Sequence, residues 1–548
     1  MASEYKEKDA IDEENPGAEH KDFASGDGIS PASHSPTRRA PNDMAPVTHK
    51  MTTHGHLELV PQPSDDPRDP LNWSPVKKWT LFAICVYGMF CGIATAVANV
   101  LATPQQAEDW QVTPTEAAYS VSCVLGGIIL GPVLLVPLVR CVGVMSCCFW
   151  STLAVLVTSI WSAVSTGPSG YGSFLASRFV AGLFCATVQV FTGGIIANLF
   201  FVHQRGKAYA IYSSMYMIAQ VGGPTFSGYI VQYVNWPICF WWTVAGNGLA
   251  AVLFFLFGED TGWDRSNQQP MNRKPLPQGW WARRMALFFF GTKVAPPNRR
   301  SNITRSLKAT FAIGLSPVTV LAGLYGLIFQ GWFIMVGVQI PLILAEPPSQ
   351  GGYAFSPLGV SNFYFSAWIG ALAGVTYGIL VNDRIPQLLQ KRNHGVWHVE
   401  SRLHSAWFPS LIVGPLGCGL FGAALYYHWH YLILALAEVF IVFAAVAAVP
   451  PQTNYIIEIW KAYPQEVSTA LNVWRISFSI AVQFFYAGWV AKVGVQWVWA
   501  TAAFVELFGV GLIVVLMVWG PMLRKYSLWE DSIKEEPERK ENGGGEKA

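Results

Sequence analysis

Twelve apolar runs, most of them at least twenty residues long, decide what this chain can fold into. At a rise of about 1.5 Å per residue, a helix of about twenty residues crosses the ~30 Å hydrocarbon core of a bilayer. The runs lie near 79–102, 116–138, 144–165, 172–200, 208–232, 236–257, 314–344, 355–381, 405–426, 431–457, 467–490 and 495–519. They are called spans 1 to 12 below. A hydrophilic stretch, 258–310, separates six from six. Composition agrees: 52% of the 548 residues are apolar and 13% charged, about half the charged share usual in soluble proteins. A reading as three or four soluble domains is therefore excluded, as are a disordered chain and a disulfide scaffold.

The expected fold is an all-α polytopic membrane protein with twelve transmembrane helices in two six-helix bundles. Its parts are a disordered cytoplasmic tail (1–76), an N-terminal bundle (77–257), a cytoplasmic middle loop (258–310), a C-terminal bundle (311–521) and a second tail (522–548). The first tail is too polar to bury a core. No apolar run follows Met1, so span 1 is expected to act as the targeting signal. With both termini cytoplasmic, the short inner loops carry Arg140, Arg205, Lys207, Arg384, Lys391, Arg392, Arg402 and Lys461, whereas the outer loops carry only Lys492. Basic residues favour the inner side. The sequons at Asn72 and Asn302 are then cytoplasmic. Trp110, Trp236, Trp397, Trp429, Trp497 and Trp529 lie near span ends, where belt anchoring is the default.

A net charge of +2 with no large basic domain leaves no footprint for nucleic acid. The nine cysteines sit in or beside apolar runs, without zinc spacing, and read as small buried hydrophobes. The chain carries no P-loop, HExxH or GxSxG pattern, so no enzyme activity, metal or cofactor is expected. A faint repeat, offset by about 261 residues, relates Gly194–Phe200 and Val234–Trp236 to Tyr455–Trp460 and Val495–Trp497. Duplicated halves place a transporter's site between them, near the midplane.

Five strings occur in a telling order: Asp69-Pro70-Leu71-Asn72-Trp73 with Lys78-Trp79; Ser177-Arg178-Phe179-Val180-Ala181-Gly182; His203-Gln204-Arg205-Gly206-Lys207-Ala208; Gly222-Gly223-Pro224-Thr225-Phe226-Ser227-Gly228; and Lys391-Arg392-Asn393 with Glu400-Ser401-Arg402-Leu403. Over about residues 67–520 the chain resembles the major facilitator superfamily, specifically fungal members of its twelve-span drug:proton antiporter group. The loop between spans 2 and 3 departs from that pattern. Arg140 stands where the family has an acid, and Val144 where it has an arginine. The charge network that helps close the cytoplasmic side in the family is therefore altered here. Asn198 likewise replaces an aspartate common at the end of span 4.

Arg178 lies inside span 4, where a charge costs on the order of 3 kcal/mol unless it faces the bundle or water. The resemblance implies a part in proton coupling; the alternative is a structural arginine that satisfies carbonyls of a neighbouring helix. Gly222, Gly223, Pro224 and Gly228 form either a gate that limits leak or a packing seam. Glu438, the deepest acid, has no basic residue within one turn. A carboxyl at that depth can take and release a proton as its hydration changes; the alternative is a packing role. Glu506 is equally deep but sits in a peripheral span. Glu458 and Arg475, taken to lie near the inner ends of spans 10 and 11, are expected to pair as a latch or gate.

Polar and aromatic residues inside spans are the cavity candidates: Asn99, Gln189, Gln330, Gln339, Asn362, Tyr364, Trp368, Asn472 and Gln483. Each serves as helix–helix glue or as a cargo contact. Together they suggest an amphipathic cavity for a largely apolar organic molecule rather than a sugar or a polyanion. The expected function is proton-coupled efflux of a xenobiotic or secondary metabolite by alternating access. The proton gradient would be the energy source, acting on a monomer in the plasma membrane. Proton-coupled uptake of a nutrient or organic cation, and a non-transporting receptor on a transporter scaffold, are the alternatives.

Overall fold

A computed structural model describes residues 62–264, 269–270, 277–289, 299–382, 384–393, 398–460 and 463–528. Lys461, Trp397, Trp529, residues 1–61 and 529–548 of the tails and parts of the middle loop lie outside these.

The first half contains α1 (Pro75–Val97), a short distal helix α2 (Thr103–Trp110), α3 (Pro114–Val142), α4 (Val144–Val164), α5 (Gly170–Cys185), α6 (Thr187–Leu199), α7 (Val202–Tyr233) and α8 (Ile238–Phe257). The connection holds α9 (Trp280–Phe288) and α10 (Arg299–Leu315). The second half contains α11 (Pro317–Ala345), α12 (Pro357–Phe363), α13 (Phe365–Val381), α14 (Arg384–Arg392), α15 (Gly414–Tyr426), α16 (Tyr431–Ile459), α17 (Pro464–Val493) and α18 (Val495–Arg524). Span 4 is thus broken into α5 and α6 at Ala186, and span 8 into α12 and α13 at Tyr364.

Local chemistry starts the helices. Ser74 caps α1 by accepting from the Lys77 amide, with Pro75 at the first helical position. Thr113 and Glu116 form a capping box at α3. Among the described residues, eleven helical segments are long and apolar enough to cross a membrane. The remaining span is α7, which has 32 residues and the length to cross. Its run of Gln220, Gly222, Gly223, Thr225 and Ser227 lowers its hydropathy, because this helix faces the other half of the protein as well as its own. The protein is a multi-pass membrane protein.

The face on which α1 begins and α18 ends is called the tail face, and the opposite one the distal face. The tail face is bound by ion pairs within each half. Glu259, after α8, pairs with Lys77 of α1 and with Arg283 of α9. Arg402 pairs with Glu458, and Arg524 with Glu400. Just before α1, buried Asp69 accepts from Ser64 and from the Leu71 amide, while Lys78 Nζ donates to the Leu71 carbonyl at 2.9 Å. The Asn72 amide donates to the Ser64 and Asp66 carbonyls within the same turn. At the altered loop between α3 and α4, the Val144 amide donates to Asp260 at 3.3 Å, so an acid from the middle segment meets the start of α4.

The tryptophans divide. Trp429 and Trp497 are exposed, as belt residues should be. Trp110 and Trp236 are not: both are buried, 5.2 Å apart between ring centroids, and packed on Phe174. Their indoles donate to the Ser165 carbonyl and to Asp109. The distal loops fold back over the first half and turn these rings inward.

Candidate functional site

A narrow cavity lies between the halves. Its walls come from α1, α3 and α7 on one side and α11, α13, α16 and α17 on the other. They are mainly aliphatic, with Ile93, Val121, Leu125 and Val336 among them. Tyr216, Gln220, Tyr364 and Glu438 supply the polar groups. The space open to water-sized molecules is about 70 Å³. Sites for organic ligands usually measure about 300–1,000 Å³, so the halves must part before cargo of that size can enter.

Glu438 is buried, and its carboxylate accepts from Ser366 of α13. Tyr364 sits at the break between α12 and α13, and its hydroxyl donates to the Gly337 carbonyl of α11. The break leaves this ring facing the cavity instead of continuing the helix surface.

Of the nine cavity candidates, Tyr364 lines the cavity and five others bridge the halves. Gln330 donates to Gln220 at 3.4 Å, and Asn362 accepts from Tyr229 at 2.6 Å. Trp368 donates to Thr225 at 3.1 Å, Asn472 to the Ile128 carbonyl at 3.1 Å, and Gln483 accepts from Ser122 at 3.0 Å. The Leu358 amide adds a sixth bridge, donating to Gln232 at 2.9 Å. Asn99 is held inside the first half by Ser120. The backbone carbonyl of Gln189 accepts from Tyr212, and Gln339 is partly buried off the cavity wall. Buried amides in hydrocarbon need partners, and here the partner is often the opposite half.

Arg178 is fully buried in α5. Its guanidinium donates to the Thr95 and Ala96 carbonyls, at 3.0 Å to the former, and lies 5.2 Å from the Phe240 ring centroid. Helix α1 ends at Val97, and the last carbonyls of a helix lack intrahelical donors. Arg178 Nη2 adds a donor at this end, whereas its Nε and Nη1 are buried without a partner among the described residues. At the end of α6, Arg205 likewise donates to the Ala197 and Phe200 carbonyls at 2.6 and 3.0 Å.

The glycine run sits at two junctions. A methyl on Gly223 would fall 2.6 Å from the Ala94 carbonyl of α1, and one on Gly228 would fall 2.0 Å from Ser361 Oγ of α12. Helix α7 continues through Pro224, which lines the cavity. Gly222 packs loosely on Trp368.

The expected pair of Glu458 and Arg475 does not form. Glu458, in the last turn of α16, binds Arg402 at 2.6 Å through Nε. Arg475 lies eleven residues after Pro464 at the start of α17, about 16 Å along the helix axis. The two charges sit at different depths. Glu506 is buried against Cys418, away from the cavity.

Sequence reasoning did not single out Tyr216, Gln220 or Gln452. The signal was present in α7, where Tyr212, Tyr216 and Gln220 recur every four residues and so share one face. Gln452, immediately after Pro450-Pro451, is buried in α16 with both amide atoms unpartnered.

The chain is similar to a known family, to fungal relatives and to solved structures. Residues 81–481 match the family described as the Major Facilitator Superfamily. The efflux pump radE of Floropilus chiversii is 24% identical, with 84% of this chain and 84% of that protein covered. The MFS transporter cpaT of Aspergillus oryzae is also 24% identical, covering 85% and 92%. Among solved structures, the proton:xylose symporter XylE bound to 6-bromo-6-deoxy-D-glucose is similar with a TM-score of 0.56 at 14% identity, covering 81% of this chain and 96% of that one.

Proposed function

The chain belongs to the major facilitator superfamily, and from that premise we propose that it exports a largely apolar organic compound, a xenobiotic or secondary metabolite, in exchange for protons. The observation that carries this reading is the aliphatic cavity between the halves with the buried Glu438 carboxyl on its wall. Aliphatic walls favour apolar cargo over a sugar, which needs dense hydrogen-bonding groups. Glu438 is the group that would take a proton from one face and release it to the other as its hydration changes. The names of relatives such as radE support the outward direction. Both tails would be cytoplasmic, in the plasma membrane, and the working unit a monomer. Each proton entering contributes about 2.3 kcal/mol per 100 mV of membrane potential.

The test is efflux from energised cells preloaded with labelled metabolites and drugs, with and without a protonophore. Loss of efflux on adding the protonophore is expected, and Glu438→Gln should remove the pH dependence. PH-dependent accumulation from outside would reverse the direction and favour uptake.

A further inference from the structure

Arg475 is a buried cation without a counter-ion. It is 7% exposed, its Nε has no acceptor, and no ion pair joins it to another described residue. The buried acids of the second half are engaged elsewhere: Glu438 with Ser366, Glu466 with Ser306 and Glu506 with Cys418. Glu458, the expected partner, is taken by Arg402. A charge withdrawn from water and left unpaired is costly, which is why buried charges are normally paired.

A second unpartnered group stands beside it. Gln452 of α16 is fully buried, with both its Oε1 and Nε2 unpartnered. Gln452 and Arg475 flank one point on α11, where a methyl on Gly326 would fall 2.9 Å from Gln452 Oε1 and 3.1 Å from Arg475 Cγ. The absence of a side chain at 326 leaves both polar groups in place. Ile476, the next residue of α17, lines the cavity together with Tyr216 of α7. Ser479, one turn after Arg475 on α17, keeps a buried hydroxyl without a partner among the described residues.

We propose that Arg475 and Gln452 form an anion subsite beside the central cavity, which takes the carboxylate of an organic monoanion whose apolar body occupies the aliphatic chamber. A guanidinium fork matches a carboxylate in two parallel hydrogen bonds, and the Gln452 amide supplies a further donor. One cation balances one anionic charge, so a monoanion fits and a polyanion does not. This inference rests on the export reading for the cavity's role and adds the class of cargo.

The test uses the full chain, purified and reconstituted in lipid nanodiscs. The probes are benzoate, 1-naphthylacetate and decanoate, each beside its neutral amide, with binding read by thermal protection. At least one carboxylate should bind ten-fold or more tightly than its amide. That preference should vanish in Arg475→Gln, persist in part in Arg475→Lys and weaken in Gln452→Ala. If Arg475→Gln does not fold, the Lys and Ala variants carry the comparison. Equal binding of acid and amide throughout the series would overturn the subsite, as would a preference that survives in Arg475→Gln. Equal protection by chloride or sulfate would reduce the site to one for simple ions and overturn the cargo claim. Efflux of the same compounds separates the two readings. Carboxylate binding without export keeps the subsite and refutes export, whereas export of the amides with no preference for acids does the reverse.

Discussion

Substituting Gly228 by Ala tests whether the α7–α12 contact closes the distal face. The added methyl would lie 2.0 Å from Ser361 Oγ, 2.4 Å from Leu101 Cδ1 and 3.1 Å from Ser361 Cβ. Ser361 can turn away only by giving up its 2.9 Å bond to the Pro357 carbonyl, worth about 0.5–1.5 kcal/mol. Leu101 must also move. Overpacking of this kind costs about 1–3 kcal/mol, and the part that falls on Ser361, across the seam, burdens only states in which α7 and α12 touch. The balance should therefore move toward the distal-open state by about 5- to 150-fold. The assay is labelling of Val100→Cys, a cavity-lining position, by a membrane-impermeant thiol reagent added on the distal side. Rates are measured above the background of the native cysteines. Gly228→Ala should raise the rate, and adding Ser361→Ala should restore much of it by removing the closest contact. Unchanged labelling in Gly228→Ala, with normal expression, would refute the assignment of this seam to the closed distal face.

Three further outcomes are expected. Arg178→Ala removes one donor from each of the Thr95 and Ala96 carbonyls and should destabilise the protein by about 1–3 kcal/mol, seen as a lower Tm, with Arg178→Lys less severe. Intact stability together with lost proton dependence would show that Arg178 acts in coupling rather than as a helix cap. Arg402→Ala should cost about 1.5–3 kcal/mol, the range for hydrogen bonds to charged groups, and the exchange Arg402→Glu with Glu458→Arg should recover part of it in thermal unfolding. Glu438→Gln keeps the ability to bond Ser366, so counterflow of cargo should continue while accumulation driven by a pH gradient is lost; transport in proteoliposomes distinguishes the two.

The fold was legible because span length and the charge of the connecting loops are read directly from residue type. Arg178 was legible as a deep arginine that needs acceptors, and the end of α1 provides two. The site was less legible. Asn362, Trp368, Asn472 and Gln483 stood out as polar residues inside spans, but which surface supplies a partner depends on how helices far apart in sequence meet. Glu458 and Arg475 illustrate the limit. They lie 17 positions apart in the chain and carry opposite charges, yet the turn between α16 and α17 places one at a helix end and the other deep inside. Trp110 and Trp236 fail as belt anchors for a related reason: position near a span end does not say which way a distal loop folds.

The distal bridges have a consequence for the conditions the protein tolerates. Tyr229 with Asn362, Gln232 with Leu358, Thr225 with Trp368, and Ser122 with Gln483 are all bonds between uncharged groups. Ion screening, which damps the interaction of exposed charges over a length of about 10 Å at 0.1 M salt, has little to act on there, and amides, indoles and aliphatic hydroxyls are not ionisable side chains. In the proposed orientation this seal meets the external medium, whose salinity and acidity the cell does not set. The ion pairs stand on the opposite face, where the cytoplasm holds both nearly constant.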